Sequence, residues 1–221
     1  MKKSTTIIIA ICCLVFVGAG IALAAYGGDV SSILFRFGQI EREHLRSSEA
    51  SASSDSTSRD DIFVANNDFV IYESEISRID EQYKLTGIQD GRERAIRFLM
   101  RRNILFTEAL ARGIYVDEEE VWDLINHNIQ IARTAENYES DFLVFLSGLG
   151  MTDEEYWESQ FDVFRKDIAI DKLFSSIAAA SGLSDQEAVH GSIQSYFQEL
   201  VEDYVRANDL EAAYYGFQAV E

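Results

Sequence analysis

The side chains equipped for chemistry are few and scattered. Three histidines, His44, His127 and His190, lie far apart, and none has a Cys, Asp or His at the spacing a metal site needs. His127, in Asn126-His127-Asn128, sits beside the apolar stripe of a predicted helix, where a structural or solvent-facing role is expected. Two acidic runs, Glu118-Glu119-Glu120 and Asp153-Glu154-Glu155, invite a reading as metal ligands or paired carboxylates. Both fall in the first turn of a predicted helix, where negative charge answers the macrodipole, and that role suffices. No Gly-rich phosphate loop, Gly-x-Ser-x-Gly elbow or His-Glu-x-x-His is present. The expectation is a protein with no catalytic residue, no bound metal and no cofactor.

What remains for function is a surface that binds. Five aromatics, Trp122, Phe142, Phe145, Trp157 and Phe161, are the candidates for contact with a polypeptide client. Large residues at helical spacing normally form core, so packing competes with this role at each of them. Trp122 stands apart because it falls beside its helix's apolar stripe and not on it.

Charge narrows the partners. The 221 residues carry a net charge of −19, and after the first 24 residues 17 basic groups face 38 acidic ones, a net −21. Such a field repels phosphate backbones and anionic lipid heads, which argues against nucleic-acid binding and peripheral membrane docking. Lys2 and Lys3 precede an uncharged run from Ile7 to Ala25. As a helix this run would be roughly 29 Å long, close to the thickness of a bilayer core. The lysines would hold the N-terminus in the cytoplasm and put the rest outside. Ala22-Leu23-Ala24 also has the small-residue pattern of a signal-peptidase site, so residues 1–25 are read as a transmembrane anchor or a cleaved signal. Cys12 and Cys13 both lie in this run, and Ile11 before Cys12 does not fit a lipoprotein site. The remainder has no cysteine for an internal disulfide.

Residues 26–60 read as a flexible extracytoplasmic linker. Tyr26 to Leu45 shows no strong period, and Ser47 to Ser58 is serine-rich. Folding is expected to begin near Asp61 and continue to residue 221. Ile62, Val64, Phe69 and Ile71 flank Asn66-Asn67-Asp68, predicting a short β-hairpin. Glu73 to Leu85 follows as a helix with Ile76, Ile79 and Tyr83 on one face.

The central element is the stretch from Asp90 to Gly113. Ile96, Leu99, Met100, Phe106 and Leu110 form one stripe, and Ala95, Phe98, Leu105 and Ala109 a second beside it. A helix with two apolar stripes belongs in the middle of a bundle. Asp90 is expected to cap its start and Gly113 to end it. Asp117 and Glu120 mark the next helix, with Val121, Leu124, Ile125, Asn128, Ile129 and Ala132 buried. Ser140 to Leu149 predicts a short apolar helix stopped by Gly148 and Gly150. Thr152-Asp-Glu-Glu155 is a capping box opening a helix to about Ile177, and Ser184-Asp-Gln-Glu187 opens another to about Arg206. The fold class is therefore mainly α, a bundle of five to six helices with an N-terminal hairpin.

Four segments in this order carry a resemblance. Val64-Ala-Asn-Asn-Asp-Phe-Val-Ile-Tyr-Glu-Ser-Glu-Ile76, Ala95 to Gly113, Val116-Asp-Glu-Glu-Glu-Val121 and Leu149-Gly-Met-Thr-Asp-Glu-Glu-Tyr-Trp157 resemble the N-terminal chaperone module of SurA-type and PrsA-type extracytoplasmic foldases. The resemblance spans about Asp61 to Ile177. It departs from the pattern in replacing the hairpin glycine by Asn67-Asp68 and in leaving only Leu183 to Glu221 where a parvulin isomerase domain would follow. It implies an ATP-independent, chaperone-like protein that holds unfolded or secreted polypeptide clients in an apolar groove, without isomerase activity. It also implies a late helix, Ser184 to Arg206, packing back on the module. Two other functions fit the same residues: a structural or adaptor subunit holding one folded partner in a cell-envelope complex, and a prolyl isomerase with an unrecognised site. The Ser181-Gly182 joint before the last long helix leaves room for helix exchange into a homodimer.

Overall fold

The structure, a computed structural model, describes residues 30–53, 61–181 and 186–216. The expected anchor or signal over residues 1–25 and the capping box at Ser184 lie outside them. Within the described residues the chain is mainly helical, with nine α-helices, one π-helical turn and a two-stranded antiparallel sheet. No helix among them is long and apolar enough to cross a membrane.

The first element corrects the expected boundary. Helix α1 spans Val30–Ser53, so residues 26–60 are not one flexible linker and folding starts well before Asp61. Leu34, Phe37 and Ile40 are buried, and Leu34 and Phe37 belong to the main core. The stripe reads Val30, Ile33, Leu34, Phe37, Gly38, with Gly38 standing where a helix–helix contact admits no side chain. A Cβ there would overlap the carbonyl oxygen of Phe145, and one at Gly148 would overlap that of Phe35. Two backbones therefore meet directly at this crossing.

Strands β1 (Ile62–Ala65) and β2 (Val70–Tyr72) form the expected hairpin, in the register Ile62 to Tyr72 and Ala65 to Val70. Asn66 shapes the turn: its Oδ1 accepts from the amides of Asp68 and Phe69, both at 2.9 Å. Helix α2 (Glu73–Leu85) buries Ile76, Ile79 and Tyr83 as its spacing predicts.

Helix α3 (Gly91–Ala111) runs through the middle, with no exposed residue from Ala95 to Ala109. Leu110, expected on the covered stripe, is partly exposed. Gly113, at φ +73°, ends the helix in a Schellman arrangement, with the Ile114 amide donating to the Ala109 carbonyl at 2.9 Å. Asp90 does not cap the other end; its carboxylate accepts instead from Arg94 Nε at 2.9 Å, the charged partner one turn away.

Helix α4 (Glu118–Arg133) has Val121, Ile125 and Ala132 buried. A π-helical turn (Tyr138–Phe142) then leads into α5 (Leu143–Leu149). Gly148 does not stop α5 but supplies its crossing with α1; Gly150, at φ +76°, ends it. The single helix expected from Thr152 to Ile177 is two, α6 (Asp153–Ser159) and α7 (Phe161–Ser181). They meet at Gln160, beside a Ser159 hydroxyl that bonds back to the Tyr156 carbonyl at 2.7 Å. Helix α8 (Gln186–Ala207) packs on α3 and α7 through Ile193, Phe197, Val201 and Val205, and α9 (Glu211–Tyr215) buries Tyr214. The bundle thus holds more helices than the five to six expected, because α1 joins it, the long helix is divided and α9 follows α8.

Candidate functional site

The five aromatics separate into two groups. Phe142, Phe145 and Trp157 are each only 2% exposed, which corrects their assignment as client-contact residues. Each lies on a helical stripe, and sealing an aromatic side chain contributes up to about 3 kcal/mol, so core packing prevails. Phe142 sits at the centre of their cluster, with ring centroids 5.3 Å from Tyr156, 5.7 Å from Trp157 and 5.5 Å from Tyr138. Trp157 continues it to Phe164 at 6.4 Å.

The edge of this cluster is tied down by Asp153. Its carboxylate accepts from Trp157 Nε1 at 2.6 Å, Arg133 Nε at 2.8 Å and the Tyr138 hydroxyl at 2.9 Å. Burial, and then the bond to Asp153, hold the Tyr138 hydroxyl protonated above the usual tyrosine range. Glu155 completes the capping box, accepting from the Thr152 amide at 2.8 Å while the Thr152 hydroxyl accepts from the Glu155 amide at 3.2 Å. Glu120 accepts from the Asp117 amide at 3.1 Å and from Lys172 Nζ at 2.7 Å, and Lys172 first, then that amide, lower its pKa. These acids are thus engaged in caps and ion pairs. Among the described residues no group of three or more His, Cys, Asp or Glu side chains is placed to hold a metal.

Trp122 and Phe161 are the second group. Trp122 is 39% exposed and tilts against Phe161, with ring centroids 5.2 Å apart. One residue after the sealed Val121, Trp122 is turned about 100° round α4 to the rim of its buried face. Phe161 opens α7 immediately after the break at Gln160 and is half-buried. Exposed acids flank the pair in sequence: Glu118, Glu119 and Asp123 on α4, and Asp162 on α7. The result is a small aromatic surface with anionic borders.

Two polar clusters lie deeper. Between α3 and α7, Arg102 reaches Asp167 Oδ1 through Nη2 at 2.8 Å and Nε at 3.1 Å, and donates to the Val163 carbonyl at 2.9 Å. Burial raises the Asp167 pKa, with Arg102 opposing, and burial lowers that of Lys166. Lys166 donates to Asn103 Oδ1 at 3.1 Å, so the cluster joins the two helices. Below α1, Glu41 accepts from Gln82 Nε2 at 2.6 Å and from Arg78. Arg78 Nε and the Tyr156 hydroxyl nearby in this interior have no hydrogen-bond partner, and burial followed by the Glu41 charge raises the Tyr156 pKa.

An open cleft of about 340 Å³ separates the end of α3 from α8, lined among others by Glu108, Arg112, Tyr196, Glu199 and Asp203. Its cation is already held: Arg112 donates to Glu108 at 2.6 Å and to the Tyr196 hydroxyl at 2.7 Å. Sequence reasoning did not single out this cleft, nor Phe35 and Leu143, which are 39% and 38% exposed on α1 and α5. It also missed the exposed hairpin residues Ile62, Val70 and Tyr72; alternation about the buried Ile71 signals Val70 and Tyr72, whereas Ile62 is turned outward by the irregularity between Ile62 and Val64. His127 is exposed on α4, His44 is half-buried on α1, and the His190 side chain lies outside the described residues.

No protein-family model, no curated protein and no solved structure matches the chain.

Proposed function

We propose that this protein is a non-catalytic binding module on the outer side of a membrane, engaging one folded partner through the surface around Trp122 and Phe161. The observation that carries the reading is the division of the aromatics: three are sealed in the core, while Trp122 remains exposed against Phe161. A compact aromatic spot with an acidic rim suits a preformed partner surface, because anchors of that kind dominate interfaces. Sheathing an extended client calls for a longer apolar trough. In this reading Ile7 to Ala25 is the anchor, with the N-terminus inside; cleavage after Ala24 would give a secreted form of the same module. The test is crosslinking on intact membranes, followed by purification of the complex. One partner at fixed stoichiometry is expected, with Trp122→Ala weakening it about 30-fold, the size of a hot-spot truncation. A heterogeneous mixture, or a complex indifferent to Trp122, overturns the reading.

A second reading is ATP-independent capture of unfolded or secreted polypeptides. It draws on the SurA-like and PrsA-like order of motifs and on the exposed hairpin face, where Ile62, Val70 and Tyr72 border a sheet of only two strands. An extended client would add a strand there. Suppression of client aggregation at stoichiometric ratios, lost in Ile62→Ser/Val70→Ser, is its signature; no effect on several clients counts against it.

A further inference from the structure

Because α1 belongs to the core, the body cannot stand far from the membrane in the anchored form proposed above. Only four residues, 26–29, separate the apolar run from Val30. Whatever their conformation, the five steps from Ala25 to Val30 reach at most about 18 Å. Helix α1 is not a tether that can take up slack, because Leu34 and Phe37 are buried and Gly38 locks against α5. The face at the start of α1 must therefore lie close to the lipid.

That face carries exposed apolar groups. Phe35 stands about 7.5 Å along the helix from Val30, and Leu143 opens α5, the helix that α1 crosses. The first turn of α1 reaches the residues just before Leu143, with the Ser31 hydroxyl donating to the Ser140 carbonyl at 3.4 Å. We infer that Phe35 and Leu143 rest in the interfacial layer of the bilayer, so that the protein is docked on the membrane and does not swing from it. Two half-exposed side chains would not recruit a free protein to lipid, and the net charge of the body opposes anionic headgroups. A short tether removes that difficulty, since it makes the contact intramolecular and raises the local concentration of lipid surface to saturation. The occupant is thus a zwitterionic bilayer surface, engaged by apolar contact.

The test uses the full chain, with Cys12→Ser and Cys13→Ser, reconstituted in phosphatidylcholine vesicles and spin-labelled at Leu143→Cys, Phe35→Cys or Tyr115→Cys. Tyr115, 71% exposed between α3 and α4, is the reference for a fully aqueous site. Relaxation by oxygen against a water-soluble nickel chelate reads depth. The labels at 143 and 35 are expected to shift towards oxygen relative to 115, and inserting twenty Gly/Ser residues between Gly28 and Asp29 should abolish the shift. Labels at 143 and 35 as aqueous as that at 115, in a chain that alkaline carbonate does not extract, overturn the docking and leave the anchor intact. Extraction by carbonate, or a mature N-terminus after Ala24, overturns the anchor and the docking with it.

Discussion

Two aromatic groups in this molecule have nearly the same composition and opposite environments. Around Phe142 several rings meet and Asp153 satisfies the Trp157 indole; at Trp122 one ring contact among the described residues, with Phe161, leaves part of the ring in water. The difference comes from position on the helix. Trp157 lies on a stripe that faces the interior, whereas Trp122 follows Val121 and falls at the margin of its stripe. A large aromatic is therefore evidence for binding only when the pattern around it fails to explain its burial.

That contrast can be broken most forcefully at Trp157. Trp157→Ala should cost about 4 kcal/mol, the usual penalty for emptying an aromatic core site, measured by urea unfolding. A loss under about 1 kcal/mol, the range of surface changes, would place Trp157 outside the load-carrying interior. Next is Gly148→Val, which forces a side chain into the Phe35 carbonyl and should cost about 3 kcal/mol through overpacking. Near-UV circular dichroism should report altered packing of the Phe142 cluster, with fluorescence from Trp122 little changed.

A smaller effect is expected at the hairpin tip. Tyr204 on α8 accepts from Asn66 Nδ2 at 2.9 Å and donates to Asp68, so Tyr204→Phe should cost about 1 kcal/mol at neutral pH. Burial first, and then Asp68, push the Tyr204 pKa up to about 12 from an unfolded value of 10. The contribution is fully present below pH 10 and is lost as the pH rises towards 12, so wild type and variant should converge across that window. A wild-type advantage that persists undiminished to pH 12 would refute the clamp. Smallest of all, Trp122→Ala should change stability by no more than about 1 kcal/mol, the value of one exposed ring pair. Combined with the loss of partner binding described above, that result would separate the surface pair from the buried cluster.

Much of the fold was legible because its signals were local. The Asn66 turn, the Gly113 ending and the Thr152–Glu155 box are each written within a few residues, and each is present. Helix α1 was not legible, because its stripe includes Gly38, whose value appears only when Phe145 is opposite. Asp90 was misassigned for a related reason: a carboxylate within one turn of Arg94 has a stronger partner than backbone amides. The break at Gln160 carries no proline or glycine to announce it. Of the candidate site, Trp122 was marked by its misfit to the stripe, while Phe161 looked like one more stripe residue until the break redirected it.

The bond between Tyr204 and the turn at Asn66–Asp68 joins points 138 and 136 residues apart. A chain synthesised from its N-terminus would complete its hairpin long before the residue that fastens it had been made. The same delay applies to α1, whose glycine must wait for Phe145. Nascent intermediates of this protein would thus expose strand edges and an unmatched helical stripe for much of synthesis, and would themselves need protection from premature association.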